Sequence, residues 1–315
     1  MSCFKPLEAW RSSEKTPNGK NRIVFNKSAK VTSLTSLKLP CGMCIGCRLD
    51  RSLVWAIRCV HEAQLHDQNS FITLTYSPEA MPRDGSLIKF HFQDFMKRLR
   101  KHPLFNSQTV RYFMCGEYGE KFSRPHYHAC LFGIDFPDKQ PFKDNEGIIT
   151  WSSELLDSIW THGYTTIGEV NFDTAAYTAR YITKKVLGQE KEDHYYRTCE
   201  HTMNLVPIEP EYATMSLKPA IGKEWYEKYK SDIYPSDFLV HQGKKLKIPR
   251  YYDNLYEIAG GDIEEIKTVR KQNMRKHLKD NTPERLAVRE EVTKLRYKQS
   301  SRSYENDTQN IHNLR

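Results

Sequence analysis

The stretch Pro125–Phe132, PHYHACLF, decides the fold and the chemistry of this chain. Its composition is typical of a strand, and residues two apart on a strand lie on the same face. His126 and His128 therefore share one face, whereas Tyr127 faces the other way. Two imidazoles on one face are half of a metal site. Two histidines on an amphipathic strand are, however, more often polar residues on a solvent-exposed face.

A carboxylate lies just upstream of this strand. Residues 111–128 read RYFMCGEYGEKFSRPHYH, in which Gly119 and the polar residues up to Arg124 predict a turn between two strands. If the hairpin closes near residue 122, Glu117 lies within cross-strand reach of the histidine pair. Two neutral imidazoles and one carboxylate form a mixed nitrogen and oxygen site for Mg²⁺ or Mn²⁺, with open positions for substrate oxygens.

A second motif begins about fifty residues downstream. The segment 175–188, AAYTARYITKKVLG, predicts a helix that Asp173 or Thr174 caps. Its small apolar residues recur at helical spacing and predict the side that faces the core. These residues are Ala175, Ala179, Ile182 and Val186.

Tyr177, Tyr181 and Lys184 form another stripe on nearly the opposite side of this helix. A tyrosine hydroxyl has an ordinary pKa near 10, so it needs a nearby cation to act as a nucleophile at neutral pH. A bound metal and the lysine would supply positive charge. Tyrosines on a helix also commonly cover the edge of a core with their hydroxyls in water, which is the alternative for this pair.

With these motifs the chain resembles the HUH endonucleases, and within them the replication initiation proteins of gokushovirus-type microviruses, which are small bacteriophages with circular single-stranded DNA. The resemblance covers most of the chain. It implies that FITLTY is a core strand, that HYH holds the metal, and that the third motif carries the catalytic tyrosines and lysine. The matching segments are CGMCIGCR (41–48), FITLTY (71–76), RYFMCGEYGEKFSRPHYHACLFG (111–133), AAYTARYITKK (175–185), PSDFLV (235–240) and PRYYD (249–253).

The resemblance also implies rolling-circle initiation in the cytoplasm of a bacterial host. One tyrosine would attack single-stranded origin DNA of the phage, leaving a 5′-phosphotyrosine and a free 3′-OH, and the second would later allow the displaced strand to be rejoined. The chain has no GxxxxGK[ST] sequence, so a host helicase and polymerase are expected partners. A non-covalent single-strand-binding protein and a metal nuclease that uses water are the alternatives.

Composition agrees with a nucleic-acid partner. The 315 residues carry a formal net charge of +9, which suits a polyanion but also occurs in proteins that bind no nucleic acid. No run of about eighteen apolar residues is present, and no charged and then apolar leader precedes a cleavage site. We therefore expect no membrane association and no export.

The eight cysteines are expected to be reduced, because the chain is long and no leader is apparent. The segment 40–48, PCGMCIGCR, is the exception, since its thiolates at this spacing can hold Zn²⁺. The possible structural zinc ligands are Cys41, Cys44, Cys47 and, as the fourth, Cys3. Cys59 or His61 could replace the fourth ligand. An iron–sulfur cluster and a compact turn without metal are alternatives.

The predicted elements give an α+β fold. Their order is strand, helix, strand, strand, helix, strand, which implies a βαββαβ antiparallel sheet with helices on one face and the site on the other. This ferredoxin-like or RRM-like core is also what the resemblance implies. The elements are a helix over 49–63, a strand over 71–76, a helix over 90–102, the hairpin, a loop over 137–147, a helix over 152–160, a strand over 164–170 and the tyrosine helix.

We divide the chain into four parts. These are an N-terminal cysteine-containing segment at 1–50, an HUH endonuclease domain at 51–190, an accessory αβ extension at 191–260 and a charged helical tail at 261–315. Aromatics interleaved with lysines in the extension are typical of DNA contact or of an ordinary core with lysine stems over it. The tail has few large apolar residues, so we expect it to be solvated and partly disordered.

Overall fold

The computed structural model of the protein describes residues 3–17, 19–27, 31–32, 35–119, 122–145, 147–181, 194–199 and 203–300. Lys184, Ile182 and Val186 lie outside the described residues, as does most of the segment predicted to be disordered. Among the described residues, those up to Arg51 and those from Glu264 onward form one compact unit, and Ser52–Ile263 form a second. The four-part division made from the sequence stays a prediction.

The elements are numbered in chain order. The strands are β1 (Leu7–Lys15), β2 (Asn21–Val24), β3 (Leu37–Leu39), β4 (Asn69–Tyr76), β5 (Arg111–Tyr118), β6 (Pro125–Phe132), β7 (Gln140–Asn145), β8 (Ile148–Ser152), β9 (Gly163–Gly168), β10 (Tyr196–Thr198), β11 (Leu205–Pro207), β12 (Tyr212–Met215), β13 (Leu239–His241) and β14 (Lys244–Leu246). The helices are α1 (Ile45–Ala63), α2 (Lys89–Lys101), α3 (Glu154–Trp160), α4 (Phe172–Tyr181), α5 (Lys223–Ile233), α6 (Arg250–Ile258), α7 (Ile263–Arg275) and α8 (Pro283–Ser300), with a 3-10 helix at Leu278–Asn281.

A seven-stranded antiparallel sheet organises the unit Ser52–Ile263. Its strand order is β12-β5-β6-β4-β9-β8-β7, and every pair of neighbours is antiparallel. The central four strands and the helices α2 and α3 follow each other as strand, helix, strand, strand, helix, strand. The mixed α/β fold with an antiparallel sheet is therefore confirmed, and β7, β8 and β12 extend the four predicted strands.

Helices cover both faces of this sheet. Helices α2 and α3 pack on the face that carries Tyr127, and the inward residues predicted for α2 are all buried. Helices α1 and α4 pack on the other face, where Phe71, Phe113 and Phe132 lie. The expectation of helices on one face was wrong, because the apolar residues of the histidine-bearing face also need cover from water.

The predicted loop over 137–147 was also wrong. Strands β7 and β8 form a hairpin here, in which the carboxylate of Asp144 accepts a hydrogen bond from the backbone N–H of Gly147 at 2.8 Å. Gly147 has φ of +86°, a conformation that favours glycine in tight turns. The β-branched run Ile148, Ile149 and Thr150 then favours a strand, so the hairpin signal was present in the sequence.

Both ends of the described chain meet in the first unit. Strands β1, β2 and β3 form a small antiparallel sheet, and α7 and α8 belong to the same unit. The Lys5 ammonium lies 3.9 Å from the Glu290 carboxylate, and the Arg289 guanidinium lies over the ring of Phe4 at 5.8 Å. Leu286 is buried. The tail is therefore helical as predicted, but it is not merely solvated.

No helix within the described ranges combines the length and the apolar composition that a membrane crossing would require.

A buried ion pair fixes α1 to the sheet. Arg111 donates to the carboxylate of Glu62 and to the backbone carbonyl of Pro219, the latter at 2.9 Å. The backbone N–H of Gly222 donates to the same carboxylate at 2.7 Å. Burial raises the pKa of Glu62, but the hydrogen bonds and the nearby guanidinium outweigh burial and leave this pKa below its ordinary value.

We expect Arg111→Met to lower the free energy of unfolding by about 3–5 kcal/mol, because a buried carboxylate would lose its charged partner. Urea unfolding at neutral pH measures the change. Lys97→Met removes an exposed ion pair with Asp94 and is the matched control, for which we expect no comparable effect. Equal effects of the two substitutions would contradict a stabilising role of the buried pair.

Candidate metal centre and active site

The register of three strands brings the predicted metal ligands together. In the pairing of β5 with β6, Glu117 lies directly opposite His126, and Cys115 lies opposite His128. Directly paired residues in antiparallel strands share a face. The hairpin therefore places the Glu117 carboxylate beside both histidines.

The three side chains meet in a buried cluster. The Nε2 atoms of His126 and His128 lie 2.8 and 2.9 Å from Oε1 of Glu117. Glu117 is fully buried, and the two histidines are 5% and 2% exposed. One ligand atom from each residue lies within 4.8 Å of the others. The solvent-exposed alternative for the histidine pair is excluded by this burial.

The hydrogen bonds of His126 show that this cluster needs a cation. Its Nδ1 lies 3.0 Å from the backbone carbonyl of Arg124, and a carbonyl can only accept, so Nδ1 carries the proton. In the neutral ring Nε2 then has a lone pair that faces a carboxylate oxygen at 2.8 Å. Two acceptors this close require a proton or a metal ion between them.

Two buried oxygen atoms around the cluster accept or donate nothing among the described residues. They are Oε2 of Glu117 and Oγ1 of Thr75, which is paired with His126 across β4 and β6. A buried polar atom without a partner is costly, so the cluster is incomplete as a set of protein atoms. Burial raises the pKa of Glu117, but the two imidazoles outweigh it and keep this pKa below its ordinary value.

The donor set fits a hard divalent ion. A carboxylate and two imidazoles supply three ligands, and Mg²⁺ or Mn²⁺ accepts further oxygen ligands from water or phosphate. The second nitrogen of each ring is held by protein, because Nδ1 of His128 lies 2.9 Å from Oγ1 of Thr73. Such outer contacts fix the orientation of the rings for a metal.

Sequence reasoning identified FITLTY as a core strand but missed the contribution of its alternate residues to the site. Phe71 stacks on the His128 ring at 5.7 Å between centroids, and Thr73 lies directly opposite the same histidine. The signal was the two-residue period, since Phe71, Thr73 and Thr75 must share one face of β4. Which face this is depends on the strand pairing.

The start of α4 differs from the predicted cap. The side-chain oxygen of Asn171 accepts from the N–H of Thr174 at 2.9 Å, and the Thr174 hydroxyl accepts from the N–H of Asn171 at 2.9 Å. Asn171 is therefore the cap, and neither Asp173 nor Thr174 is. This reciprocal pair fixes the entry into the helix and hence the direction in which Tyr177 points.

Tyr177 lies against the metal cluster. Its ring meets the His128 ring edge to face, with 5.0 Å between centroids, and it also contacts Phe71. Tyr177 is 5% exposed, whereas the sequence placed it on a side of the helix away from the core stripe. Both sides are buried because α4 is covered by apolar residues all round. The side chain of Tyr181 lies outside the described residues.

A cleft opens beside His128 and Tyr177. Strand β8 pairs with β9 at only one position, Trp151 with Ile167, so the two strands diverge and leave a cavity of about 290 Å³. The cleft is bordered by β8, by β9 and by the first turn of α4. It is large enough for part of a nucleotide and leads to the metal ligands.

A second candidate metal cluster lies in the first unit. No disulfide joins any of the eight cysteines. Four thiols, those of Cys3, Cys41, Cys44 and Cys47, have sulfur atoms within 4.8 Å of one another. Cys3 is the fourth member, as expected, because Cys59 packs in the sheet core and His61 pairs with Tyr252 at 3.0 Å.

Backbone N–H groups point at these sulfurs. The N–H of Phe4 lies 3.3 Å from Sγ of Cys44, and the N–H of Cys41 lies 3.2 Å from Sγ of Cys3. Burial raises the pKa of Cys44, but these hydrogen bonds outweigh it and lower this pKa to about 7. The sulfur separations of 3.9 and 4.0 Å suit a tetrahedral ion with bonds of about 2.3 Å. The cluster predicted near the N-terminus is confirmed.

Comparison with known proteins identifies the family. Residues 69–186 match the family model described as Replication-associated protein ORF2. Replication-associated protein VP4 of Bdellovibrio phage phiMH2K is 34% identical over 264 residues, which cover 82% of this chain and 78% of that protein. Replication-associated protein ORF2 of Spiroplasma virus 4 is 30% identical over 272 residues, which cover 82% of this chain and 81% of that protein.

A third relative, replication-associated protein ORF4 of Chlamydia phage 1, is 27% identical over 250 residues, which cover 77% of this chain and 59% of that protein. No solved structure matches the chain significantly. The matched segment 69–186 contains the strand, the hairpin and the described tyrosine helix of the site. The chain therefore belongs to this family of phage replication-associated proteins and is a rolling-circle replication initiator.

Proposed function

We propose that this initiator nicks single-stranded origin DNA by attack of a tyrosine on a metal-bound phosphate. The observation that carries the proposal is the position of Tyr177, whose ring packs against His128 beside a buried carboxylate and a second imidazole. A potential nucleophile thus lies next to a potential metal ligand at the mouth of one cleft. The strand and helix order of the sheet supports an HUH-type core.

The metal would be held by Glu117, His126 and His128. When bound, Mg²⁺ or Mn²⁺ would polarise a non-bridging oxygen of the scissile phosphate and stabilise the charge that develops there. The protein's own part is to hold both imidazoles in one orientation through the Arg124 carbonyl and the Thr73 hydroxyl.

In the proposed step the Tyr177 or Tyr181 oxygen attacks phosphorus and loses its proton. The bond between phosphorus and the 3′ oxygen breaks, and the leaving oxygen takes up a proton to become the free 3′-OH. The product is a 5′-phosphotyrosine, so the energy of the phosphodiester is kept in the protein–DNA ester. Lys184 would stabilise the developing charge.

The second tyrosine would act after one circuit of synthesis. While one tyrosine is esterified to DNA, the other is free to cleave the regenerated origin, and the released 3′-OH can then close the displaced strand. The chain has no ATP-binding motif of the GxxxxGK[ST] type, so we propose that host helicase and polymerase act with it. The proposed place of action is the cytoplasm of the bacterial host.

We also propose that the four cysteines of the first unit hold a structural Zn²⁺. The supporting observations are the four converging sulfurs and the backbone N–H groups directed at them. All four ligand positions are then occupied by protein, which is typical of structural and not catalytic zinc. The ion would tie the residues before β1 to the start of α1.

The first test concerns the metal. We expect His126→Ala with His128→Ala to lower cleavage of a single-stranded oligonucleotide at least about 100-fold, since loss of outer contacts alone typically costs 10–100-fold. Mn²⁺ binding measured by electron paramagnetic resonance should also be lost. Glu117→Gln keeps the shape of the side chain and should weaken Mn²⁺ binding. DNA binding through phosphate contacts should persist.

His102→Ala, at the end of α2, is the matched control and should leave cleavage and Mn²⁺ binding unchanged. A chelator should stop cleavage reversibly. Normal cleavage by the double histidine variant would overturn the ligand assignment.

The second test concerns the tyrosines. We expect at least one of Tyr177→Phe and Tyr181→Phe to retain a covalent adduct with a short oligonucleotide, because residues one helical turn apart can reach one phosphate. The double variant should form none. Each single variant should fail in a complete replication cycle. Lys184→Ala should slow adduct formation without preventing DNA binding.

Denaturing gels and peptide mapping measure these outcomes, and Tyr256→Phe is the control for loss of a hydroxyl elsewhere. Cleavage without any adduct would instead support a nuclease that uses water. Binding without cleavage at any metal concentration would support a non-covalent single-strand-binding protein. Attachment at a residue other than the two tyrosines would overturn the mechanism.

The third test concerns zinc. Protein purified without chelator should contain about one equivalent of zinc by mass spectrometry, because four thiolates bind it tightly. Cys44→Ser should lower both the zinc content and the melting temperature. Cys199→Ser changes a buried cysteine outside the cluster and should keep the zinc. Zinc-free protein with the same melting temperature would show that the cluster is only a turn.

A further inference from the structure

A second cavity lies at the end of the metal-binding hairpin. It has a volume of about 430 Å³, and we call it the hairpin-end pocket. Its walls include Tyr118 and Gly119 from the hairpin, together with side chains from the segment that carries β10 and β11. The residues that matter here are Tyr118, Gly119, Tyr195, Arg197, Ile208 and Glu211.

The hairpin-end pocket is adjacent to the proposed metal. Tyr118 follows the ligand Glu117 along β5, and the two residues point to opposite faces. A Cβ atom added to Gly119 would lie 3.5 Å from Cε1 of His126. A strand of DNA whose phosphate is at the metal would therefore have a neighbouring nucleotide at this pocket.

The aromatic wall of the pocket is held rigidly. The Arg197 guanidinium lies 4.4 Å from the centroid of the Tyr118 ring and donates to the carbonyl of Ser123 at 2.7 Å. The Tyr118 hydroxyl donates to the carbonyl of Glu209 at 2.6 Å. A fixed ring and a fixed guanidinium plane are surfaces on which nucleobases stack.

A buried carboxylate supplies the polar group. Glu211 is 6% exposed and lines the pocket. The Tyr195 hydroxyl donates to its Oε2 at 2.6 Å, which fixes the orientation of the carboxylate. Oε1 accepts no hydrogen bond from the described residues. The pocket thus has one oriented acceptor that is left for a ligand.

We propose that the hairpin-end pocket binds one unpaired nucleobase that carries an exocyclic amino group, and that it sets the base preference next to the nick. Cytosine, adenine and guanine offer this amino group to a carboxylate, whereas thymine does not. A phosphate or another anion is the poorer occupant, because the Glu211 carboxylate repels it. The inference rests on the proposed action on single-stranded DNA.

The test measures binding and not cleavage. The probes are fluorescent oligo-thymidine strands, with and without one cytosine, bound to the Tyr177→Phe and Tyr181→Phe double variant without divalent metal. We expect the cytosine to tighten binding by roughly tenfold, since one correct base contact is worth about 1–3 kcal/mol. Glu211→Gln should reduce this preference, because its amide cannot replace a charged acceptor.

Glu209→Gln is the matched control. It removes the same charge nearby, but its carboxylate pairs with Lys89 on the surface, so the preference for cytosine should persist. Equal preferences in the two glutamine variants, or no preference in the double tyrosine variant, would overturn the inference.

Tyr195→Phe keeps the test decisive if Glu211→Gln does not fold. It releases the carboxylate and should weaken the preference, and an unchanged preference would overturn the inference. The outcome is separate from the nickase proposal. Covalent adducts without any base preference would remove the pocket's role alone, whereas base preference without adducts would remove the nickase mechanism alone.

Discussion

A carboxylate without access to water, that of Glu117, is the constraint on which the site depends. A buried charge of this kind must be matched by positive charge and by hydrogen bonds, because its desolvation is expensive. The two imidazoles supply that match only when a proton or a metal lies between them and the carboxylate. The sheet has therefore been built around a place that calls for a cation.

The strand register makes fold and chemistry inseparable here. A slip by one residue between β5 and β6 would turn Glu117 to the opposite face and leave the histidines facing an apolar core. Gly116 shows how tightly the other face is packed, because an added Cβ would lie 2.8 Å from the Tyr212 ring and 3.2 Å from the Tyr127 ring. The apolar contacts of one face thus hold the polar cluster on the other.

Much of the centre of the protein could be predicted from the sequence, because periodicity is a local property. The two-residue period placed His126 and His128 together, and the helical period predicted the buried residues of α2. The partners of these elements are set by tertiary contacts and could not be read in this way. Tyr177 is the clearest case, since its burial depends on what surrounds α4 on every side.

The additional strands were missed for a different reason. Strand β12 is short and pairs with β5 from almost a hundred residues away, so nothing local marks it as part of the sheet. The hairpin of β7 and β8 does have a local turn signal, but its divergence from β9 follows from the packing of the whole sheet. The cleft next to Tyr177 is thus a property of tertiary structure alone.

The first unit joins the beginning of the described chain to its last helices, and this has a consequence for synthesis on the ribosome. Ser52–Ile263 leave the ribosome before α7 and α8 are complete, so the domain with the histidine cluster can fold while the protein is still being made. The cysteine-containing segment emerges first but must wait for the helices made last. The part of the protein that is translated earliest is therefore among the last to reach its final structure.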